Sequence, residues 1–538
     1  MPVDTPAWVR DAVFYQIFPD RFAQSARVPK PGPLEPWDSP PTLHGFKGGD
    51  LLGVAEHLDH IADLGANAIY LTPVFQSASN HRYHTYDYFT VDPLLGGNAA
   101  LRELLDQAHG RGMRVILDGV FNHTGRGFWP FHHVLELGAA SPYRYWFNFD
   151  QEALDRGAPI DAYPAARARH GVAMSEPPLE QPEGGSGGSY SRLGYQAWWD
   201  MPALPKLNIG EPAVREYIWR VAEHWLRFGI DGWRLDVPGE IQDPPFWAEF
   251  RRRCRAVNPE AYIVGEIWDV APDWVAGDRF DALMNYPLAE AIIGYVAGAS
   301  LNEPLLRLHH EYGRIGRLDG RAFGARLVEL LGAYDTAVTA VQLNLLDSHD
   351  TPRLLSILGG DRAAMQLAVL LQASLPGAPC IFYGDEVGLQ GGMDPDCRRS
   401  MPWDEGRWDG ELLAFVRAVL RLRHAEPLLR HGDLTVVATE GRAIAFQRSA
   451  GAALFDGVAP FSSGVDSSPR FRAERLVVAL NPDSEPVRLV LDRGAVPGSI
   501  AEILPLPGWA IAEPLIADAA GDLAATIAPR SGVVARLA

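Results

Sequence analysis

Eight short apolar segments alternate with amphipathic helical segments through the first 425 residues of the chain. Most of these segments are nearly continuous hydrophobic runs, which are typical of strands buried on both faces of a parallel sheet. Eight such repeats favour a closed (β/α)8 barrel over an open, doubly wound sheet. We therefore predict an α/β fold built on a (β/α)8 TIM barrel, with its strands in residues 12–18, 67–74, 114–121, 232–237, 262–268, 281–286, 341–347 and 378–384.

Two regions depart from this repeating pattern. Residues 123–206 contain Pro/Gly-rich and aromatic stretches without a strand–helix unit, and they are too long for an ordinary loop. We predict an inserted subdomain there, called domain B, with its Gly/Ser stretch at 183–189 as a mobile surface loop. Short strands separated by turn residues follow the last helix and indicate an antiparallel β-sandwich. The predicted domains are a barrel (1–122 and 207–430), domain B (123–206) and a C-terminal β domain (431–538).

The charge and cysteine content argue against several classes of function. The 538 residues include 67 acidic and 48 basic side chains, and the net charge of −19 repels phosphate backbones and anionic lipids. We therefore expect a neutral or cationic substrate, with no nucleic acid and no membrane as partners. Three cysteines are too few for a disulfide framework or a zinc cage, and the first residues do not resemble a secretion signal. These features predict a cytoplasmic protein.

Polar residues stand at the ends of several predicted strands. The active sites of (β/α)8 barrels lie at the carboxyl ends of the strands, so we expect these side chains to converge. They are Asp118, Asn122 and His123 after the third strand, Arg234 and Asp236 at the fourth, Glu266 at the fifth, and His349 and Asp350 after the seventh.

Two of these acids have surroundings suited to acid–base chemistry. Arg234 and Asp236 lie two residues apart on a strand and share a face, so the guanidinium should keep Asp236 ionised. Glu266 has apolar neighbours such as Val264 and Trp268, and desolvation should raise its pKa toward that of a general acid. Glycoside hydrolysis uses two carboxyls with separated pKa values. The alternative is a buried layer of ion pairs that only stabilises the barrel.

The segments around these strand ends match a known pattern. In chain order they read DGVFNH, GWRLDV, GEIW and LLDSHDTPR, and they resemble the signature segments of the α-amylase family, glycoside hydrolase family 13. Members of that family are retaining α-glucan hydrolases and transglycosidases with a (β/α)8 barrel. LPKLN at 204–208 and Glu240 resemble the group of cyclomaltodextrinases, neopullulanases and maltogenic amylases. The resemblance extends from Asp11 to about Trp403.

This resemblance implies a role for each polar residue at the mouth of the barrel. Asp236 would be the nucleophile, Glu266 the acid/base, and Asp350 the carboxylate that holds and distorts the bound sugar. Asp87 and Asp118 would be structural braces near the site. The implied substrate-binding residues are His81, Tyr83, His123, Arg234, Glu240, His349, Asp394 and Arg398.

Three further features allow more than one interpretation. Glu240 could position the acceptor sugar or water, or simply pair with an arginine. Trp198 and Trp199 are expected to face the cleft, and the alternative is that they pack domain B onto the barrel. Several histidines lie near the mouth, but none forms a short-spaced ligand set, so we expect no catalytic metal and no cofactor. Asn122 matches a calcium-ligand position in some amylases, which leaves a structural calcium ion open.

The resulting hypothesis is a retaining hydrolase of α-1,4 bonds in maltooligosaccharides, cyclomaltodextrins or pullulan, with some transglycosylation. The alternatives are an exo-acting α-glucosidase, a dedicated α-glucan transglycosidase, or a sugar-binding barrel without catalysis. The last is disfavoured because all three acids are present. The barrel begins near Asp11, so we expect the group's usual N-terminal β domain to be missing, and this leaves the oligomeric state open.

Overall fold

The computed structural model describes residues 3–164, 187–450, 475–509 and 514–537. Within these residues, eight parallel strands form one sheet in the order β8-β7-β6-β5-β2-β1-β10-β9. A parallel bridge between Met284 and Leu343 joins the two edges and closes the barrel. Each predicted segment contains one of these strands, which confirms the (β/α)8 fold. The strands up to residue 382 are β1 (Phe14–Ile17), β2 (Ala68–Leu71), β3 (Phe75–Ser77), β4 (Thr85–Val91), β5 (Arg114–Gly119), β6 (Gly232–Leu235), β7 (Tyr262–Gly265), β8 (Ala282–Leu283), β9 (Leu343–Asn344) and β10 (Ala378–Phe382).

Helices connect the barrel strands and continue into domain B. The helices of the described residues are α1 (Pro19–Phe22), α2 (Leu51–Glu56), α3 (Leu58–Leu64), α4 (Gly97–Gly110), α5 (Trp129–Leu137), α6 (Gln151–Asp155), α7 (Gly187–Leu193), α8 (Pro212–Phe228), α9 (Pro244–Val257), α10 (Tyr286–Ala297), α11 (Glu303–Leu306), α12 (Gly320–Gly332), α13 (Thr336–Thr339), α14 (Leu354–Ile357), α15 (Arg362–Ser374), α16 (Gly410–Ala425) and α17 (Pro427–His431). Among these residues, no helix is long and apolar enough to cross a membrane.

Helix α8 shows how the sequence sets these elements. Pro212 occupies its first turn, and Gly229 ends it at a φ of 113°, a left-handed conformation that glycine adopts without strain. Its buried face includes Ile218 and Trp225, seven residues apart, as expected for one side of a helix. The Trp225 indole donates a hydrogen bond to Tyr88 O in β4 (2.7 Å). The helix therefore supports the hairpin that reaches the barrel mouth.

The hairpin of β3 and β4 and the described part of domain B lie beyond the barrel strands. Domain B contains α5, α6 and α7, together with short antiparallel bridges such as Phe147–Leu207 and Phe149–Tyr195. Of the Gly/Ser stretch, residues 183–186 lie outside the described residues. Residues 187–189 begin helix α7, so the prediction of a loop is wrong for them.

The C-terminal region is an antiparallel β domain, as predicted. A five-stranded sheet in the order β11-β12-β13-β17-β15 faces a two-stranded sheet of β14 and β16. Apolar side chains of both sheets, including Ala445 and Val477 from one and Leu489 and Leu523 from the other, form a core of their own. The domain boundaries themselves stay predictions. The strands are β11 (Asp433–Glu440), β12 (Ala443–Ser449), β13 (Arg475–Asn481), β14 (Val487–Arg493), β15 (Glu502–Leu504), β16 (Asp522–Ile527) and β17 (Ser531–Leu537).

Candidate active site

The mouth of the barrel collects acids from strands that are far apart in the sequence. Asp118 in β5 and Arg234 in β6 are register partners, while Asp236 follows the end of β6 and Glu266 follows β7. Because parallel strands in register end at the same edge, these side chains meet. All four are buried.

Arg234 is the centre of this cluster. Its Nη1 lies 2.8 Å from Asp118 Oδ2 and 3.2 Å from Asp236 Oδ1, and its Nη2 lies 2.9 Å from Glu266 Oε2. The arginine side chain is fully buried, so water does not screen these contacts. One positive charge therefore faces three carboxyl groups and cannot compensate all of them.

Burial has the largest influence on the two acids expected to be catalytic. It raises the pKa of Asp236 well above its usual range; Arg234 opposes this, while Glu266 and Asp118 add to it. Burial also raises the pKa of Glu266 against the effect of Arg234. Burial therefore acts against the prediction that Arg234 keeps Asp236 ionised, and it shifts the pKa of Glu266 in the predicted direction. Interacting acids of this kind lose their protons in two separate steps, so the pair retains one proton at intermediate pH.

The hydrogen bonds of the two acids differ. Glu266 Oε2 accepts from Val237 N (3.0 Å), and Glu266 Oε1 accepts from Trp268 Nε1 (3.3 Å). Val237 provides this N–H at a φ of 35°, which is unusual for a β-branched residue. Asp236 Oδ2 is buried and accepts no hydrogen bond from the described residues. Glu266 is thus held by two donors, whereas Asp236 keeps one oxygen without a partner among these residues.

Asp350 stands at the more open side of the cluster, with a side chain that is 31% exposed. Its carboxyl lies 3.2 Å from His349 Nε2 and 3.3 Å from Arg398 Nη2. Burial opposes its charge, but His349 and Arg398 outweigh this and lower the pKa of Asp350. Arg398 also contacts Asp394 (3.1 Å), whose own pKa is raised by burial. Asp350, Asp394 and Arg398 therefore form one charged group.

His349 links Asp350 to the centre of the barrel. Gln16 Nε2 donates to His349 Nδ1 (2.9 Å), which places the imidazole proton on Nε2. The Tyr83 hydroxyl contacts the same Nε2 and donates to Asp118 Oδ2 (2.9 Å). The rings of Tyr83 and His349 are parallel, with centroids 5.5 Å apart. Burial lowers the pKa of His349 to about 3, so the ring is neutral at physiological pH.

Two other predicted sugar ligands are also neutral histidines. Burial lowers the pKa of His81 well below its usual value and that of His123 to about 3. His81 Nδ1 accepts from Tyr83 N (3.2 Å), which fixes the tip of the β3–β4 hairpin. His123 Nε2 is buried and has no hydrogen-bond partner among the described residues. This nitrogen is therefore an unsatisfied polar atom at the barrel mouth.

Domain B brings aromatic and charged residues next to His123. The Trp198 ring stacks on His123 at 4.8 Å, and Trp199 stacks on Trp198 at 4.9 Å with 56% of its surface exposed. Trp198 thus adjoins a residue of the mouth, and Trp199 reaches it through Trp198; that the two rings face the cleft stays a prediction. Glu240 pairs with Lys206 of the LPKLN segment (2.7 Å) rather than with an arginine.

The remaining predicted residues have structural contacts. Asp87 accepts hydrogen bonds from Phe89 N and Thr90 Oγ1 (both 2.8 Å), which is a brace within β4. Asn122 Nδ2 lies 3.2 Å from His123 Nδ1. In the described part of the chain, no group of three or more His, Cys, Asp or Glu side chains could hold a metal ion. The expected absence of metal and cofactor stays a prediction.

Some residues that contact the site are not among the polar residues predicted at the strand ends. Tyr70 donates to Asp118 Oδ2 (2.8 Å), and the Tyr286 ring stacks on Trp268 at 3.6 Å. Gln16 and Tyr70 both lie inside apolar barrel strands. A polar group within such a run is the signal that could have revealed them, since it needs a partner inside the barrel.

The comparison with known proteins agrees with this geometry. A family model described as the α-amylase catalytic domain matches residues 16–416. The chain belongs to the α-amylase family. The resemblance of the signature segments is thereby confirmed.

The relatives of this α-amylase family member indicate its group. A cyclomaltodextrinase from Bacillus sp. is 43% identical over 454 residues, which are 83% of this chain and 72% of that protein. Neopullulanase 2 of Thermoactinomyces vulgaris is 40% identical over 433 residues, which are 80% of this chain and 65% of that protein. The chain thus spans about two thirds of the length of these curated relatives. The crystal structure of a debranching enzyme from Nostoc punctiforme has a TM-score of 0.79 and 42% identity, covering 99% of this chain and 100% of that one.

Proposed function

We propose that this protein is a retaining glycoside hydrolase that cleaves α-1,4-glucosidic bonds of maltooligosaccharides, cyclomaltodextrins or pullulan, with transfer to sugar acceptors as a side reaction. The observation that carries this proposal is the pairing of Asp236 and Glu266 on opposite nitrogens of Arg234, beside Asp350. Retention requires two carboxyls about 5–5.5 Å apart. Two acids that contact one guanidinium are neighbours of the kind this mechanism needs.

The hydrogen bonds support a division of roles between the two acids. Asp236 Oδ2, which has no partner among the described residues, attacks the anomeric carbon. Glu266, oriented by Val237 N and Trp268 Nε1, gives its proton to the leaving oxygen. The products of this step are a glycosyl ester on Asp236 and an ionised Glu266. Glu266 then takes a proton from water, or from a sugar hydroxyl, which attacks the ester. The single proton retained by the pair is what the first step needs.

The surrounding residues bind the sugar that is being cleaved. The pKa of Asp350 is lowered once His349 and Arg398 outweigh burial, so its carboxylate can accept hydrogen bonds from sugar hydroxyls. Such bonds accelerate the reaction if they strengthen in the oxocarbenium-like transition state. His81 and His123 are neutral, so they exchange hydrogen bonds with hydroxyls without adding charge. Arg234 positions Asp236, and Tyr83 and Asp118 hold Arg234 and His349.

The outer residues contact sugars further along the chain. Asp394 and Arg398 would bind a sugar next to the one held by Asp350. The pair of Glu240 and Lys206 lies beside domain B and would position the acceptor. Trp198 and Trp199 supply flat rings for stacking.

Cleavage of α-1,6 branch points is a second candidate. The Nostoc debranching enzyme matches nearly all of this chain over its full length, whereas the alignment with the Bacillus cyclomaltodextrinase covers 72% of that protein. The same three acids would act on either bond. The difference would lie in how the acceptor side receives a branched chain.

The test is a parallel product analysis on maltotriose, pullulan and a cyclomaltodextrin, with Asp236→Ala as the control. We expect panose from pullulan if α-1,4 bonds are cut, and maltotriose if α-1,6 bonds are cut. Longer oligomers as the main products from maltotriose would favour a transglycosidase, and stepwise release of glucose an exo-acting α-glucosidase. Full activity of Asp236→Ala would refute the assigned nucleophile.

We also propose that the protein works in a reducing compartment such as the cytoplasm. Cys254, Cys380 and Cys397 are all buried and unpaired, which is typical of proteins in such an environment.

A further inference from the structure

Domain B contains a polar cavity that shares no lining residue with the site at the barrel mouth. Its volume is about 330 Å³, and none of the residues that line it is charged. This is notable in a chain with a net charge of −19. The lining combines two tyrosines, Tyr145 and Tyr190, with side-chain amides.

The floor of the cavity is set by the alternation of two extended segments. Phe147, Phe149 and Tyr195 point into the core of domain B, where their exposure is 2% or less. Successive side chains of extended backbone point to opposite sides, so Asn148 and Gln196 face away from this core. Gln196 N donates to Asn148 O (2.9 Å), which places the two amides side by side. Neither amide side chain forms a hydrogen bond with the described residues.

The rim of the cavity is aromatic. Tyr145 is 52% exposed and Tyr190 is 37% exposed. The Tyr190 hydroxyl donates to Phe149 O (3.1 Å), which fixes its ring at the edge. Within the described residues, every large aromatic side chain that is strongly exposed belongs to domain B: Trp129, Tyr145, Tyr163, Tyr190 and Trp199. Exposed aromatic groups concentrated on one domain indicate a binding surface.

We propose that this cavity is a second binding site for neutral α-glucan oligosaccharides, separate from the site of cleavage. A sugar ring offers hydroxyl groups to free amides and an apolar face to a tyrosine, and it carries no charge to be matched. The volume lies in the range of small-molecule sites, about 300–1,000 Å³. The site would hold a long glucan on domain B while another part of that chain enters the barrel mouth. This inference rests on the proposed function.

The test uses the full chain with Asp236→Asn to stop turnover, and isothermal calorimetry with maltoheptaose. We expect two binding events per chain. Tyr145→Ala should weaken only the second about fivefold, which corresponds to about 1 kcal/mol of binding free energy, because it removes the ring on which the sugar stacks. Gln196→Leu, which keeps the size of the side chain, should have the same effect. Trp129→Ala is the matched control, because Trp129 is equally exposed on the same domain but does not line the cavity.

The activity of the cavity variants provides a second test of the proposed binding site. With Asp236 restored, the cavity variants should keep kcat/KM on maltotriose and lose about threefold on soluble starch. A single binding event, unchanged affinity in both variants, or an equal loss in Trp129→Ala would overturn the second site. Dimerisation through this face, seen by light scattering and abolished by Tyr145→Ala, would also overturn it. Failure of the proposed function looks different, because the unmodified protein would then hydrolyse no glucan at all.

Discussion

Two buried arginines hold carboxyl groups at the same end of the barrel, yet their surroundings differ. Arg353 Nη1 contacts Asp385 (3.0 Å), and the charge of Asp347 raises the pKa of Asp385 further. Leu354 N donates to Asp347 Oδ2 (2.6 Å), and in the described part of the chain the buried atom of this cluster without a partner is Arg353 Nη2, not a carboxyl oxygen. Around Arg234, Asp236 Oδ2 has no partner in the described part of the chain.

Depth of burial does not distinguish the two clusters. Asp236 is 7% exposed and Asp385 is 6% exposed. Burial raises the pKa of both well above the usual range, and an arginine opposes the shift in both cases. A shifted pKa is therefore weak support for catalysis by itself. An unsatisfied carboxyl oxygen, such as Asp236 Oδ2, close to a partly exposed acid, such as Asp350, is stronger support. We infer that the Arg234 cluster reacts and the Arg353 cluster holds the barrel together.

The largest expected effect separates the clusters by activity. Asp236→Asn and Glu266→Gln should each lower kcat on maltotriose by about 10⁴-fold or more, because each removes a group that acts in the reaction. Asp385→Asn makes the same chemical change in the other cluster and should cost less than about tenfold. Equal losses in folded variants of both clusters would break the distinction.

The next effect separates the clusters by stability. Arg353→Met should lower the free energy of unfolding by about 3–5 kcal/mol, since it leaves buried carboxyls without their cation. Arg353 also donates to the backbone carbonyls of Cys397 and Tyr383, and these bonds would be lost as well. Urea denaturation measures the change. Arg252→Met, in a surface pair with Glu249, is the control and should have no measurable effect; a similar result for Arg353→Met would contradict the structural role.

The sequence identified the Arg234 cluster better than the Arg353 cluster. Strand ends predicted Asp118, Asp236 and Glu266 because the fold places all such ends at one edge. The pattern could not show that Arg234 would be shared among three acids, since this depends on how deep each side chain lies. Burial acts against the predicted ionisation of Asp236 for that reason.

Other parts of the site required tertiary contacts. Gln16 and Tyr70 act from inside apolar strands, and their partners His349 and Asp118 are far away in the sequence. The fold itself was predictable, because each barrel strand repeats one hydrophobic pattern. Domain B has no such repeat, so its cavity had no signal in the sequence.

The pH dependence of activity should show the coupling of Asp236 and Glu266. We expect a bell-shaped profile of kcat/KM, in which activity rises as the pair loses its first proton and falls as it loses the second. Because burial raises both pKa values, the acid limb should lie above the ordinary aspartate pKa of about 3.9. α-Maltosyl fluoride needs no protonation of its leaving group, so the alkaline limb should disappear with it. An unchanged alkaline limb would assign that proton to another group.

The smallest expected effect is on thermal stability, because substitution of Asp236 and substitution of Asp350 should change Tm in opposite directions. The pKa of Asp236 is raised on folding, so its ionisation costs stability that grows above the unfolded pKa and is complete above the folded one. Asp236→Asn should therefore raise Tm by about 1–3 °C at pH 8 and by nothing at pH 3. The pKa of Asp350 is lowered, so Asp350→Asn should lower Tm at pH 8. Calorimetry that gives the same sign for both would contradict these electrostatics.

The most direct measurement is to trap the covalent intermediate. A maltosyl fluoride that carries a further fluorine next to the reacting carbon forms the ester quickly and hydrolyses it slowly, so the labelled protein can be digested and examined by mass spectrometry. We expect one label on the peptide that contains Asp236, and none in Asp236→Asn. A label on Asp350, or an active protein that never becomes labelled, would contradict the assignment of Asp236 as the nucleophile.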